Sequence, residues 1–242
     1  MSDLVVSLEK LPIVPSRNFV AFPSTVFPMN VGRPKSVMAL EEATMNGGYI
    51  ALFCQKTPET EDPQKEDLYE VGTLVRVIKT SSMEGNVVSV VAEGVSRIKM
   101  VNLDDSEFLS CSFEMLDVVG NTVGLRTKKA RSLKKNAEKI FELSPDVPSE
   151  AVVLLNSTKD YSNYCDIVVS NLNMPAEKKQ EVLETLDISE KISLVNSIIE
   201  TELSLLNLSS KITSTVRDEI DKSQKEYYLR EQLRVIKKEL GE

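Results

Sequence analysis

Residues 187–242 read DISEKISLVNSIIETELSLLNLSSKITSTVRDEIDKSQKEYYLREQLRVIKKELGE, with no proline and no glycine before Gly241. Apolar side chains recur in the first part of this stretch at steps of three and four residues, the spacing of one helical face. The proximal stripe consists of Ile188, Ile192, Val195, Ile199, Leu203 and Leu206. The pattern predicts one very long helix, whose roughly fifty residues would span about 75 Å.

The remainder of this predicted helix is polar over much of its surface. Between residues 209 and 226 its apolar residues thin to a middle stripe, Ile212, Val216 and Ile220. A helix that is polar nearly all round either bridges domains or pairs with another helix along a narrow seam. Two adjacent tyrosines and a distal stripe follow, and we expect them to pack against a further part of the protein: Tyr227, Tyr228, Leu229, Leu233, Ile236 and Leu240.

The first 120 residues have the pattern of a β-rich domain. Runs rich in Val, Ile and other apolar residues, bounded by proline, glycine or acidic turns, predict strands at 11–14, 25–31, 49–54, 70–80, 86–93, 95–102 and 107–118. Pro34 is placed to open a helix that ends at Gly47. The valines around Ser89 predict a central strand covered on both faces, and therefore a curled sheet or small barrel.

Helical spacing begins near residue 125. Leu133, Ala137, Ile140 and Phe141 form one apolar side of a helix at 125–143. Further helices are predicted from their start signals, which are Pro148, Asp160, Pro175 and Asp187. The fold class is therefore α+β. We expect a β-rich domain at 1–120, a helical bundle at 121–208 and a long linking helix at 209–242.

Composition narrows the classes of function. The chain carries a formal net charge of -8, three cysteines and no histidine. An acidic protein is poorly suited to phosphate backbones, so we expect no nucleic-acid partner. Three widely spaced cysteines predict neither a disulfide framework nor a zinc site, and they suit the reducing cytoplasm. No leader-like segment and no apolar run of membrane-spanning length occurs, so we expect a cytoplasmic protein with no membrane contact.

Catalytic motifs are missing from the sequence. No GxxxxGK[ST] run is present, and without histidine a Ser-His-Asp or Cys-His arrangement is excluded. Adjacent carboxylates such as Glu41 and Glu42 suit a solvated helix face better than acid-base chemistry. We therefore expect no catalytic, cofactor-binding or metal-binding residues in this chain.

Two stretches carry a resemblance to a known family. KSQKEYYLREQ at 222–232, followed by IKKELGE at 236–242, resembles a signature of the ATP-dependent Lon proteases that lies just before their ATPase module. LPIVPSRN at 11–18, continuing through VAFP at 20–23 and VGRPKS at 31–36, resembles the opening of the Lon amino-terminal domain. The two matches bracket the chain, so the resemblance covers nearly all of it.

This resemblance implies a function that composition and spacing do not. It implies a β-rich, PUA-like domain in the non-catalytic region of a serine protease that degrades misfolded and regulatory proteins. ATP, Mg and the serine-lysine pair are expected only in modules absent here, and family members form hexamers. The distal residues from Tyr227 to Leu240 would then couple to the ATPase module. One alternative is a purely structural spacer and oligomerisation element, and another is a free-standing PUA-like adaptor.

Substrate contacts are expected near the first strands. Several phenylalanines there are close to prolines, and methionine is favoured on surfaces that accept many partners. The candidate substrate contacts are Phe19, Phe22, Phe27, Met29 and Met83. A protein that sorts unfolded chains must recognise exposed apolar residues, so this group could leave an apolar groove open. The alternative is that the same residues form the core of the domain.

Overall fold

The computed structural model describes residues 10–82, 86–125, 127–144 and 147–241. The chain divides into two compact units, Met1–Asn196 and Ser197–Glu242. The candidate contact Met83 lies outside the described residues. The predicted domain borders after residues 120 and 208 stay predictions.

Among the described residues of the first unit, six strands form one mixed sheet. They are β1 (Leu11–Ser16), β2 (Val26–Val31), β3 (Tyr49–Cys54), β4 (Val71–Ser82), β5 (Val88–Asp105) and β6 (Leu109–Leu116). β5 pairs with β4 along one edge, and its other edge pairs with β2 and then with β6. Because β6 also pairs with β1, strands β5, β4, β3, β1 and β6 close into a ring. Of the two predicted forms, a curled sheet or a small barrel, the structure has the barrel.

One cluster of apolar side chains lies inside the barrel. A second cluster packs between the barrel and the helix that follows β2. The first cluster includes Ile13, Phe53 and Ile98. Helix α1 (Pro34–Met45) contributes Leu40 and Ala43 to the second cluster. The period-2 alternation of the strands separates these two sets, because successive side chains point to opposite faces of a sheet.

Gly94 does not end a strand, so the predicted break between 93 and 95 is wrong. β5 runs through this residue. The Gly94 N–H donates to the Thr25 carbonyl at 2.9 Å, and the Gly94 carbonyl accepts from the Ser24 N–H at 2.8 Å. A Cβ at position 94 would lie 2.1 Å from the Phe22 carbonyl oxygen. The glycine therefore permits a close backbone approach and does not make a turn.

The expected coverage of β5 on both faces is also wrong. Val90 and Ala92 are fully buried, whereas Val91 between them is 37% exposed. This alternation is typical of an antiparallel strand with one covered face. The run of valines reflects β propensity on the outer face as well as burial on the inner one.

In the part of the chain that the structure describes, five helices follow the sheet, namely α2 (Lys128–Leu143), α3 (Ser149–Ser157), α4 (Tyr161–Ser170), α5 (Ala176–Glu184) and α6 (Ile188–Leu240). The predicted apolar side of α2 is confirmed, since all four of its residues are buried. The Asp160 carboxylate caps α4 by accepting from the Asn163 N–H at 2.9 Å. Asp187 caps α6 by accepting from the N–H groups of Ser189 and Glu190. Pro148 and Pro175 stand one residue before their helices begin.

A buried charge cluster joins the barrel to the helices within the first unit. Arg97 on β5 donates from Nη2 to both carboxylate oxygens of Asp166 on α4, each at 2.7 Å. The Lys191 Nζ on α6 lies 2.6 Å from the same carboxylate. All three side chains are at most 4% exposed. Burial lowers the pKa of the Lys191 ammonium, against the attraction of Asp166.

Candidate functional site

A cleft of about 650 Å³ opens on the first unit where β1, β2 and the start of α1 meet. Its volume lies within the range of roughly 300 to 1,000 Å³ that is usual for ligand sites. Apolar and polar groups share its walls about equally, and three charged side chains reach it. The charged residues are Arg17, Arg33 and Glu61, and the apolar ones include Val14, Pro15, Phe19, Pro28, Met29 and Pro34.

The cleft lies where two strand edges are unpaired among the described residues. β2 pairs with β5 on one side only. β1 pairs with β3 through residues 13–16, whereas β6 reaches only Leu11 and Pro12. The ring of strands is therefore open beside the second half of β1.

Each open edge carries a proline whose nitrogen faces away from the neighbouring strand. The Ser16 carbonyl accepts from the Gln55 N–H next to β3. Backbone groups of successive strand residues point to opposite sides, so the nitrogen and the carbonyl of the preceding Pro15 point to the open side. The Thr25 carbonyl accepts from Gly94 on β5, and by the same alternation Pro28 directs its backbone away from β5. Proline supplies no donor, and it blunts an edge against strand addition. The cleft therefore offers side chains to a ligand in preference to a strand partner.

The structure separates the predicted substrate contacts. Phe19 and Met29 line the cleft and are only partly buried. Phe22 is fully buried, and Phe27 is 7% exposed with its ring centroid 5.0 Å from that of Phe19. Phe22 and Phe27 thus belong to the core, because β2 and the preceding loop turn them inward. Direct contact of substrate with Phe19 or Met29 stays a prediction.

Arg33 is a cleft residue that the sequence analysis did not single out. Its Nη2 donates to the Gln55 Oε1 at 2.5 Å and to the Thr60 carbonyl at 3.3 Å. The Gln55 amide is held in turn, since its Nε2 donates to the Thr60 carbonyl at 2.9 Å. The Arg33 Nη1 is buried without a hydrogen-bond partner among the described residues. The one signal in the sequence is a cation placed directly before the proline that begins α1.

The electrostatics of the cleft favour an anionic group. Burial lowers the pKa of the Arg33 guanidinium, and the positive charge of Arg17 acts in the same direction. Both effects act against the attraction of Glu61 and Asp62, which raises this pKa. Arg17 pairs at 3.0 Å with Glu61, whose side chain is 82% exposed. Arg33 forms no such pair in the described structure, so a carboxylate from a ligand would compensate a partly desolvated charge.

The predicted coupling residues lie on the second unit and are all exposed. Tyr227, Leu229 and Leu233 have between 53% and 69% of their surface accessible, and the others are similar. The Gln232 Nε2 donates to the Tyr228 hydroxyl at 3.1 Å along the same helix. The coupling role stays a prediction.

The middle and distal stripes face different directions on α6. At 3.6 residues per turn, the centre of the distal stripe lies about 130° around the helix from Val216. Ile212, Val216 and Ile220 are each about half exposed. One flat surface cannot cover both stripes, so the helix presents two separate apolar faces.

Within the described ranges, no group of three or more His, Cys, Asp or Glu side chains is placed to hold a metal ion. None of the described helices is long and apolar enough to cross a membrane. The three cysteines are free and buried, and burial raises the pKa of both Cys111 and Cys165 to about 12.

A model of the ATP-dependent protease La (LON) substrate-binding domain matches residues 10–201. The Lon protease of Anaeromyxobacter dehalogenans is 38% identical over 233 residues, and Lon protease 2 of Myxococcus xanthus is 36% identical over 236 residues. These alignments cover 96% and 97% of this chain but only 28% of each relative. The chain thus spans less than a third of the length of these relatives.

Two solved structures share the fold. A Lon N-terminal domain protein from Xanthomonas campestris matches with a TM-score of 0.58 and 11% identity, over 78% of this chain and 98% of that one. The N-terminal domain of a Mycobacterium avium complex Lon protease matches with a TM-score of 0.55 and 16% identity, over 79% and 98%. The predicted α+β arrangement, a β-rich part followed by helices and one long helix, is confirmed.

Proposed function

Because this chain belongs to the family of Lon protease substrate-binding domains, we propose that it binds unfolded or damaged protein segments for an ATP-dependent serine protease. The cleft between β1 and β2 is the observation that carries this proposal. It combines partly exposed Phe19 and Met29 with rigid prolines, and its edges do not favour strand pairing. Such a surface accepts varied apolar side chains, which are what an unfolded chain exposes and a folded one hides.

The expected partners and setting follow from the same proposal. Degradation of the bound chain, ATP and Mg would belong to the ATPase and protease modules, with no cofactor in this region. We place the protein in the cytoplasm, and the free, buried thiols support a reducing compartment. Neither nucleic acid nor membrane is among the proposed partners.

The proposal predicts that Met29→Asp weakens binding of reduced, alkylated casein about tenfold or more, because burial of a large apolar side chain contributes roughly 1.5 to 3 kcal/mol. Fluorescence anisotropy of labelled casein measures the affinity, and an apolar dye should compete. Met29 packs against the second cluster but is only partly buried, so the melting temperature should fall less than in a variant of a fully buried residue, and affinity is compared where both proteins are folded.

Val153→Asp is the matched control for Met29→Asp. Val153 is 69% exposed on α3, outside the cleft, and receives the same new charge. It should leave casein affinity unchanged. Equal weakening by both substitutions, or no binding of casein by the unmodified chain at high micromolar concentration, would count against the cleft.

A second candidate function, assembly of the hexamer, is favoured by the two apolar faces of α6. We propose that the middle stripe pairs with the same helix of another copy and that the distal stripe, with Tyr227 and Tyr228, packs on the ATPase module. A narrow apolar seam on an otherwise charged helix is typical of helix pairing. In this view the long helix is the spacer and oligomerisation element.

Sedimentation equilibrium should separate the two faces. Ile212→Glu combined with Val216→Glu should weaken self-association by about tenfold or more, because both substitutions place a charge in the proposed seam. Leu233→Glu combined with Ile236→Glu is the control, since it makes the same change on the other face and should leave self-association intact. Equal loss in both double variants would show that the faces do not have separate partners.

A further inference from the structure

The proposed function leaves open how an unfolded chain enters the cleft, and the prolines restrict the answer. A segment running along β1 or β2 as an added strand would need backbone donors that Pro15 and Pro28 cannot supply. A chain that enters end-on meets no such requirement. The cleft is therefore better suited to a chain terminus than to the middle of an extended segment.

The positive charge of Arg33 indicates that this terminus is the one that carries a carboxylate. Its guanidinium is oriented by Gln55 and Thr60 through Nη2, which leaves Nη1 as a buried donor without a partner. A planar guanidinium binds a carboxylate strongly and with defined geometry. Arg17 and Glu61 also reach the cleft and pair with each other at 3.0 Å, so Arg33 is the cleft cation that has no ion pair among the described residues.

The start of α1 adds a further donor beside Arg33. Pro34 has no N–H, whereas Ser36, in the first turn of this 12-residue helix, lines the cleft and carries a backbone N–H. No side chain caps this helix end. Backbone N–H groups in the first turn of a helix are left without intrahelical partners and bind anions such as carboxylates.

We propose that the cleft captures the C-terminal carboxylate of an unfolded chain whose last residue is apolar, with the carboxylate on Arg33 and the side chain against Phe19 and Met29. A terminal residue carries its carboxylate and its side chain on the same carbon atom. One residue can therefore satisfy the guanidinium and the apolar walls together. An aspartate or glutamate has its carboxylate at the end of its own side chain and must take the apolar contact from a neighbour.

The test uses the full 242-residue chain and three fluorescein-labelled peptides of equal length. One ends in Leu-Phe with a free carboxylate, the second is its C-terminal amide, and the third has an internal Phe-Asp pair and an amidated end. Anisotropy titrations should show the free acid binding at least about tenfold more tightly than either amide, because charge-assisted hydrogen bonds are lost with the terminal carboxylate. This comparison needs no substitution, so folding cannot confound it.

Arg33→Gln should bring the ratio of acid to amide affinity to about one, while Arg76→Gln should leave the ratio unchanged. Arg76 is the matched control because it is an exposed arginine paired with Glu93 outside the cleft. The acid and the amide are compared on the same variant. A general loss of stability therefore weakens the binding of both and leaves the ratio of their affinities unchanged.

The inference rests on the proposed function, yet the two can fail separately. Equal binding of acid and amide with unchanged casein binding would overturn carboxylate capture and leave substrate binding standing. Tight binding of the internal Phe-Asp peptide would likewise overturn the terminal assignment, because the carboxylate would then come from a side chain. Loss of casein binding as well would overturn both.

Discussion

Replacing Asp166 with alanine should destabilise the protein by about 3 to 5 kcal/mol, because the change leaves two buried cations without their shared anion. Arg97 and Lys191 are at most 4% exposed and both contact this carboxylate. Asp166→Asn should be nearly as damaging, since an amide carries no compensating charge. Urea unfolding followed by near-ultraviolet circular dichroism measures the effect, because the buried Tyr161 and Tyr164 lie on the same helix.

Glu93→Ala is the control for the charge cluster. It breaks the Arg76–Glu93 pair, whose side chains are 53% and 33% exposed. Exposed pairs contribute little, so the urea midpoint should move only slightly. Similar midpoints for Asp166→Ala and Glu93→Ala would mean that the buried cluster does not hold the barrel to the helices. Joint replacement of all three residues by apolar ones should be far less harmful than Asp166→Ala, because no charge is then left unpaired.

Phe22→Ala should lower the melting temperature by roughly 6 to 20 °C, which follows from about 3 to 5 kcal/mol for a buried phenylalanine and about 2 to 4 °C per kcal/mol in a chain of this size. Phe22 is fully buried, and its carbonyl accepts from the Thr25 hydroxyl at 2.6 Å. Differential scanning calorimetry gives the shift. Casein affinity at a temperature where the variant is folded should be unchanged.

Phe22→Ala and Met29→Asp thus form a pair with opposite expectations. The first should reduce stability and spare binding, whereas the second should reduce binding much more than stability. A Phe22 variant that melts normally but binds casein poorly would contradict the burial of this side chain. Phe22 would then again be a candidate substrate contact.

Patterns within a few turns of chain predicted much of the architecture. The long helix from Ile188 to Leu240, the apolar side of α2 and the Asp160 cap all depend on spacing within one element. Hydrophobic periodicity and capping are local effects, so residues near one another in sequence are sufficient to reveal them. The family resemblance likewise rested on two contiguous stretches.

The errors concerned contacts between distant residues. Glycine is typical of turns, and the sequence therefore predicted a break at Gly94. This glycine instead permits the close approach of the Phe22 backbone, which lies about seventy residues earlier in the chain. The candidate phenylalanines and methionine near β2 are all apolar residues of one proline-containing stretch, so residue type does not separate them. Contacts with residues distant in sequence do: Phe22 and Phe27 lie in the core, whereas Phe19 and Met29 pack at the edge of the second cluster and reach the cleft.

Local patterns in the sequence were sufficient to predict the α+β class, the single long helix and the family, because periodicity, caps and contiguous motifs are properties of neighbouring residues. Only the three-dimensional fold shows which strands pair around the barrel, the buried Arg97–Asp166–Lys191 cluster and the cleft with its unpartnered Arg33 nitrogen. The residues of each of these features come from separate parts of the chain. Burial and charge pairing depend on distance in space, and folding alone brings such residues together.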